Sequence, residues 1–344
     1  MTTTAALRIA LREGLQKGLR GTLWMLKILI PCSFLTFLID VSGMLAHLEF
    51  VLTPAMGFMH LPPEAALPLT AGLLAGIYGA VAAMAVLDFS MTEAILIAVF
   101  LLISHNIIQE GIVQARSGLN FFKATLARLA ASMATVLCLA RLLPKGGTVD
   151  AAADMAAAPA GAAWEGLLRA WLLDTALLSL QILAIITAMM IVMEVLRAAR
   201  VIPLLARILR PLLTLMGLSR RVGILWLTAA VFGLSYGAAV IVEEAREGHF
   251  EKDEIEKLQL SIGINHALIE VPAIFLALGL PALWLWAPRL VAALVAVHLY
   301  RLGAYCRQRR RNKSGRGSLI IGHKLRSLVV RHWSVVEDSR DQRK

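Results

Sequence analysis

The chain has 344 residues, 58% of them hydrophobic and only 17% charged, and its mean hydropathy is +0.73. A soluble domain of this size carries roughly a quarter charged residues, so a water-soluble globule is excluded and an integral membrane protein is expected. The formal net charge is +11, concentrated beyond residue 300 and densest in the RQRRR run at 307–311; beside so many apolar segments this reads as a cytoplasmic tail held near anionic lipid rather than as a nucleic-acid surface.

Residues 1–20 read as a basic amphipathic segment, with Leu7, Ala10, Leu11, Leu15 and Leu19 recurring at helical spacing. The apolar run behind it is too long for a signal peptide and has no cleavage site, so the segment is expected to be retained on the cytoplasmic surface. Apolar stretches long enough to span a bilayer then follow at 28–48, 65–86, 92–113, 122–143, 170–194, 222–243, 256–280 and 282–300. Ala and Leu dominate them and period-two alternation is scarce. The expected fold class is therefore all-α, a polytopic membrane helix bundle rather than a β-barrel.

The chain repeats itself at a period of about 157 residues. Asp40 matches Glu194, Pro54 matches Pro211, Thr70-Ala71 matches Thr228-Ala229, and Tyr78-Gly-Ala matches Tyr236-Gly-Ala. HNIIQE at 105–110 matches NHALIE at 265–270, which sets Glu110 over Glu270 and His105 over Asn265. Two homologous membrane repeats follow, 21–143 and 165–301, joined by a Gly-, Ala- and Pro-rich linker at 144–164 and followed by the basic tail at 302–344.

Lysine and arginine mark cytoplasmic loops. None occurs between Ala46 and Ala66, whereas the equivalent stretch of the second half, Arg197 to Arg221, carries six arginines. The repeats are therefore expected to be inverted, with both termini cytoplasmic, and each must cross the bilayer an odd number of times. Four apolar stretches per half is an even count. One of them should be re-entrant or broken, and the expected one ends in the polar motif.

Ionisable groups at membrane depth are costly and mark pathways or pairs. The candidate substrate- or ion-binding residues are His105, Asn106, Gln109 and Glu110 from the first motif, and Asn265, His266 and Glu270 from the second. Tyr78 and Tyr236, in the Gly-flanked GIYGA and LSYGA, are secondary candidates. His266 and Glu270 at i, i+4 would share a helix face, as would His105 and Gln109. Such a set could hold a divalent metal, relay protons, hydrogen-bond a polar organic solute, or staple a helix. Cys32, Cys138 and Cys306 lie far apart without metal-ligand spacing, so neither a disulfide framework nor a zinc site is implied. No enzyme motif is present, and no cofactor is expected.

The order LTAGLLAGIYGA, then LDFSMTEAI, then ISHNIIQEGIVQARSG resembles the bacterial nucleoside recognition, or Gate, domain, and the second half carries a diverged copy ending in INHALIE. Gate-like domains occur in concentrative nucleoside transporters, in the membrane part of ferrous-iron transporter B proteins, and in spore maturation proteins A and B. The resemblance implies a multi-pass protein of the bacterial inner membrane that binds or transports a small polar solute or ion, nucleoside-like or a cation, where the repeats meet. It carries over to His105, Asn106 and Glu110 and to Asn265, His266 and Glu270. The chain departs from the ferrous-iron relatives in having no GTPase domain and no membrane cysteine pair. A different class is a membrane scaffold or assembly factor that acts through a partner membrane protein recruited by the basic tail.

Overall fold

A computed structural model describes residues 3–44, 53–144, 164–199, 204, 207–232, 241 and 251–309. The chain divides into two compact units, Met1–Val297 and His298–Lys344, and every candidate site residue lies in the first. All regular structure among the described residues is helical.

The first half opens on α1, Thr3–Val41, a single helix of 39 residues. No break separates the basic amphipathic segment from the apolar run behind it. At 1.5 Å per residue the helix is about 58 Å long, well beyond the ~30 Å hydrocarbon layer, so one helix serves as both span and surface segment. A 3-10 turn at Pro63–Ala65 leads into α2, Ala66–Ala75, and α3, Ile77–Met84. Next come α4, Met91–Ser104, α5, Ile107–Arg116, and α6, Phe121–Leu142. The second half has α7, Trp164–Ala198, α8, Arg210–Leu215, α9, Arg220–Phe232, α10, Lys252–Asn265, α11, Glu270–Ala277, and α12, Ala282–Arg309.

Six of these segments are long and apolar enough to cross a membrane, three in each half: Leu7–Val41, Met91–Arg116 and Phe121–Leu142, then Trp164–Leu196, Lys252–Ala277 and Ala282–Arg309. Among the described residues the count per half is odd, the number an inverted arrangement requires. The packing of α1 on its repeat partner α7 fits that arrangement too. Gly14 lies against Ile191 and Gly18 against Thr187, while Phe37, farther along α1, reaches back to Trp171 and Trp164. The two equivalent helices therefore run antiparallel. Gly14 and Gly18 form a small-xxx-small face that lets the backbones close up; a Cβ on either would come within 2.5 or 2.6 Å of a Cα of α7. Lys17 Nζ to Glu194 at 2.8 Å and Trp171 Nε1 to Ser33 at 3.0 Å tie the pair along its length.

In the first half two stretches depart from a straight helix: the motif-bearing stretch is broken, as expected, and 66–84 folds back as well. Gly76 sits at φ 95° between α2 and α3, a conformation open to glycine and strained for other residues. A Cβ on Gly72 would touch Ala80 at 3.1 Å, although a straight helix holds residues eight apart at about 12 Å. The chain bends sharply back there. The motif-bearing stretch breaks at His105 and Asn106, and the two breaks abut: Asn106 N–H donates to Gly72 O at 2.9 Å.

Helix α4 is the central element. Ser90 and Glu93 form a capping box at its start, satisfying two otherwise orphaned N–H groups. Every residue from Ile95 to Ser104 is buried, as expected of a helix apolar all round.

Candidate functional site

Helices α4 and α10 end alike. His105 and His266 leave the helix in extended backbone, at φ −64°, ψ 163° and φ −84°, ψ 168°. The next residue in each, Asn106 or Ala267, is left-handed, at φ 49° and 46°. Asn adopts this region readily; Ala does so at a cost of about 1 kcal/mol. Ala267 is therefore a point of stored strain.

A helix end leaves carbonyls without partners, and buried arginines supply them here. Arg128 donates from Nε to Ile103 O at 2.9 Å and from a terminal nitrogen to His105 O at 2.8 Å. Arg289 donates to Ile264 O at 3.4 Å and to His266 O at 2.7 Å. Both bind carbonyls 25 and 23 residues back along the chain. Both are essentially inaccessible, 1% and 0% exposed.

Each histidine turns Nδ1 to the carbonyl one turn earlier, His105 to Leu101 O at 2.7 Å and His266 to Ile262 O at 3.0 Å. A carbonyl only accepts, so Nδ1 carries the proton and Nε2 faces inward. The two Nε2 atoms converge on one oxygen of Glu110, each at 3.1 Å, with the rings 5.2 Å apart. The other Glu110 oxygen lies 2.7 Å from Arg128. Two Nε2 lone pairs against a carboxylate oxygen repel unless a proton or cation lies between them. The cluster can therefore hold a proton or cation between the two imidazoles and the carboxylate. Nδ1 atoms held by carbonyls are also the usual support for metal-ligating histidines, and His105, Glu110 and His266 offer three ligand atoms within 4.8 Å of one another. Arg128 already neutralises Glu110, however, so an added divalent ion would meet positive charge in a setting of low dielectric.

The structure therefore brings together His105, Glu110 and His266 of the expected set, with Asn265 fully buried next to His266 and both of its amide atoms without a hydrogen-bond partner among the described residues. Asn106 shapes the break: a Cβ on Gly76 would lie 2.7 Å from its side-chain oxygen. Gln109 is exposed. Glu270 does not pair with His266 along a helix face, because the helix is broken between them; it accepts from Tyr78 Oη at 3.4 Å instead. Tyr78 packs edge-on against Trp24. Tyr236 lies outside the described residues.

The repeat register also differs by one residue from the one the sequence suggests. The arginine-to-carbonyl bonds place His105 over His266 and Asn106 over Ala267. Glu110 then falls over Val271, and the histidine, not the acid, is the fixed point. The match of Glu110 with Glu270 is a matter of letters; the backbone break sets the equivalence.

Arg128 and Arg289 were missing from the expected site. The sequence does carry a signal for them, since each stands 23 residues after the motif histidine. Two buried glutamines stitch the halves beside the cluster, Gln114 Nε2 donating to Gln259 O at 2.7 Å. Asp40 and Asp174 line a cavity of about 180 Å³ between α1 and α7 that none of the cluster residues lines.

No family model matches the chain, and no solved structure matches it. Over 288 residues, 83% of this chain and 91% of the relative, it is 28% identical to the uncharacterized membrane protein YvoD of Bacillus subtilis (strain 168). Together with the six apolar helices, this makes the chain a multi-pass integral membrane protein.

Proposed function

We propose that the chain is a two-repeat Gate-type protein of the bacterial inner membrane, both termini cytoplasmic, that binds and carries a small polar solute or ion at the junction of its halves. The observation that supports this is the convergence of His105 and His266, one from each half, on Glu110. Inverted-repeat carriers place their sites where broken helices of the two halves meet, and buried ionisable groups at such depth are retained for function more often than for stability. The imidazole–carboxylate–imidazole arrangement suits proton or cation coupling.

The test is genetic rescue. In a strain lacking the gene, Glu110→Gln, expressed until its membrane level equals that of the wild type, is expected to fail to restore whatever growth or uptake phenotype the wild-type chain restores. Full rescue by a well-expressed Glu110→Gln would sink the reading.

A further inference from the structure

The two halves use the same arginine in the same way, but only one of them supplies it with an acid. Arg128 binds the carbonyls of its broken helix and pairs with Glu110 at 2.7 Å. Arg289 binds the corresponding carbonyls of the second half, and the position corresponding to Glu110 is the buried Val271. The adjacent carboxylate, Glu270, is engaged by Tyr78. The terminal nitrogen NH1 has no hydrogen-bond partner among the described residues in either arginine; what sets the second half apart is Asn265, neither of whose amide atoms has one, whereas Ser104, at the corresponding place in the first half, donates to Phe100 O at 2.8 Å. Arg289 and Asn265 are both 0% exposed. A buried guanidinium without a facing carboxylate is costly, and a charged guanidinium N–H and an amide N–H are both donors that an oxyanion accepts from.

We infer that the solute carries a small oxyanion group, a carboxylate or a phosphate, and that this group docks on Arg289 and Asn265 in the position that Glu110 occupies for Arg128. The inference rests on the proposed solute site and names its ligand class. The bound anion completes the symmetry of the two halves: each broken helix then has one arginine and one acid. It also balances the positive charge that two buried arginines bring against Glu110.

The experiment is thermal unfolding of the purified full-length chain in detergent, at constant ionic strength set with sodium chloride, with sodium acetate, sodium phosphate, uridine or manganese chloride added. Acetate or phosphate is expected to raise the midpoint by about 3 °C at roughly tenfold over its dissociation constant, and the better of the two identifies the source of the oxyanion. Val271→Glu tethers a carboxylate at the corresponding position. It is expected to fold, although a Glu at a buried Val site ordinarily would not be tolerated, and to abolish the anion response. Arg289→Gln should abolish the response as well, which covers the case in which Val271→Glu fails to fold. Absence of any anion response in the wild-type chain overturns the inference, as does a response that survives either substitution. A response to uridine or manganese without one to the anions overturns it while leaving the solute-site reading in place; that reading fails on the rescue experiment instead.

Discussion

His105 and His266, one from each half of the chain, present their Nε2 atoms to the same oxygen of Glu110, each at 3.1 Å. Neither ring is free to turn away, because each Nδ1 is held by the carbonyl one helical turn back. The junction of the repeats is thus joined by one acid and two bases, and Arg128 fixes the acid from its other side.

Removing the acid leaves Arg128 buried without its counter-charge. Glu110→Gln is expected to lower unfolding stability by about 3 kcal/mol, the usual scale for breaking a buried ion pair from one side. Glu110→Gln combined with Arg128→Gln should cost less than the sum of the two singles, since each removes the other's penalty. Denaturant unfolding of the four proteins in one detergent would measure the coupling. Strict additivity would mean that the 2.7 Å contact carries no energy.

Gly76 is expected to tolerate no side chain. Its φ of 95° and the 2.7 Å approach of an added Cβ to Asn106 both penalise Gly76→Ala, by about 2 kcal/mol or more. Adding Asn106→Gly removes the clash but not the backbone strain, so the double variant should recover part of the loss. Thermal midpoints of the three proteins decide it, and an unchanged midpoint for Gly76→Ala would count against the bend.

Close packing of α1 on α7 depends on Gly14 and Gly18. Gly14→Val and Gly18→Val each place a methyl where α7 backbone stands, and each should destabilise by about 1–3 kcal/mol. Gly21→Ala, where an added Cβ meets nothing within 4 Å, serves as the neutral control. Limited proteolysis in detergent should cut the first two variants faster than the third.

An inverted arrangement, with three candidate spans per half among the described residues, would put the linker and the C-terminus on opposite sides of the membrane. A periplasm-active reporter fused at Pro159 is expected to be active and the same reporter at the C-terminus inactive. The same outcome at both sites would contradict the inverted topology.

Composition alone established a membrane protein of helices, because apolar runs near the bilayer thickness are written directly in the letters. The internal repeat was legible for the same reason, since the matched residues are local features, and the skew of Lys and Arg made its inversion an expectation. The meeting of His105, Glu110 and His266 was legible only as a list, since nothing in the sequence states that helices α4 and α10 break at the histidines. Spacing suggested that His266 and Glu270 share a helix face; the left-handed Ala267 removes that face and sends Glu270 to Tyr78. Arg128 and Arg289 look like ordinary charged residues on apolar helices. Tertiary structure alone decided that they reach the broken helix ends, because unsatisfied carbonyls draw donors only once the breaks exist. It also decided that the halves are unequal at their shared junction, with Glu110 in one and Val271 in the other. The register that reveals this inequality is carried by backbone hydrogen bonds rather than by residue identity.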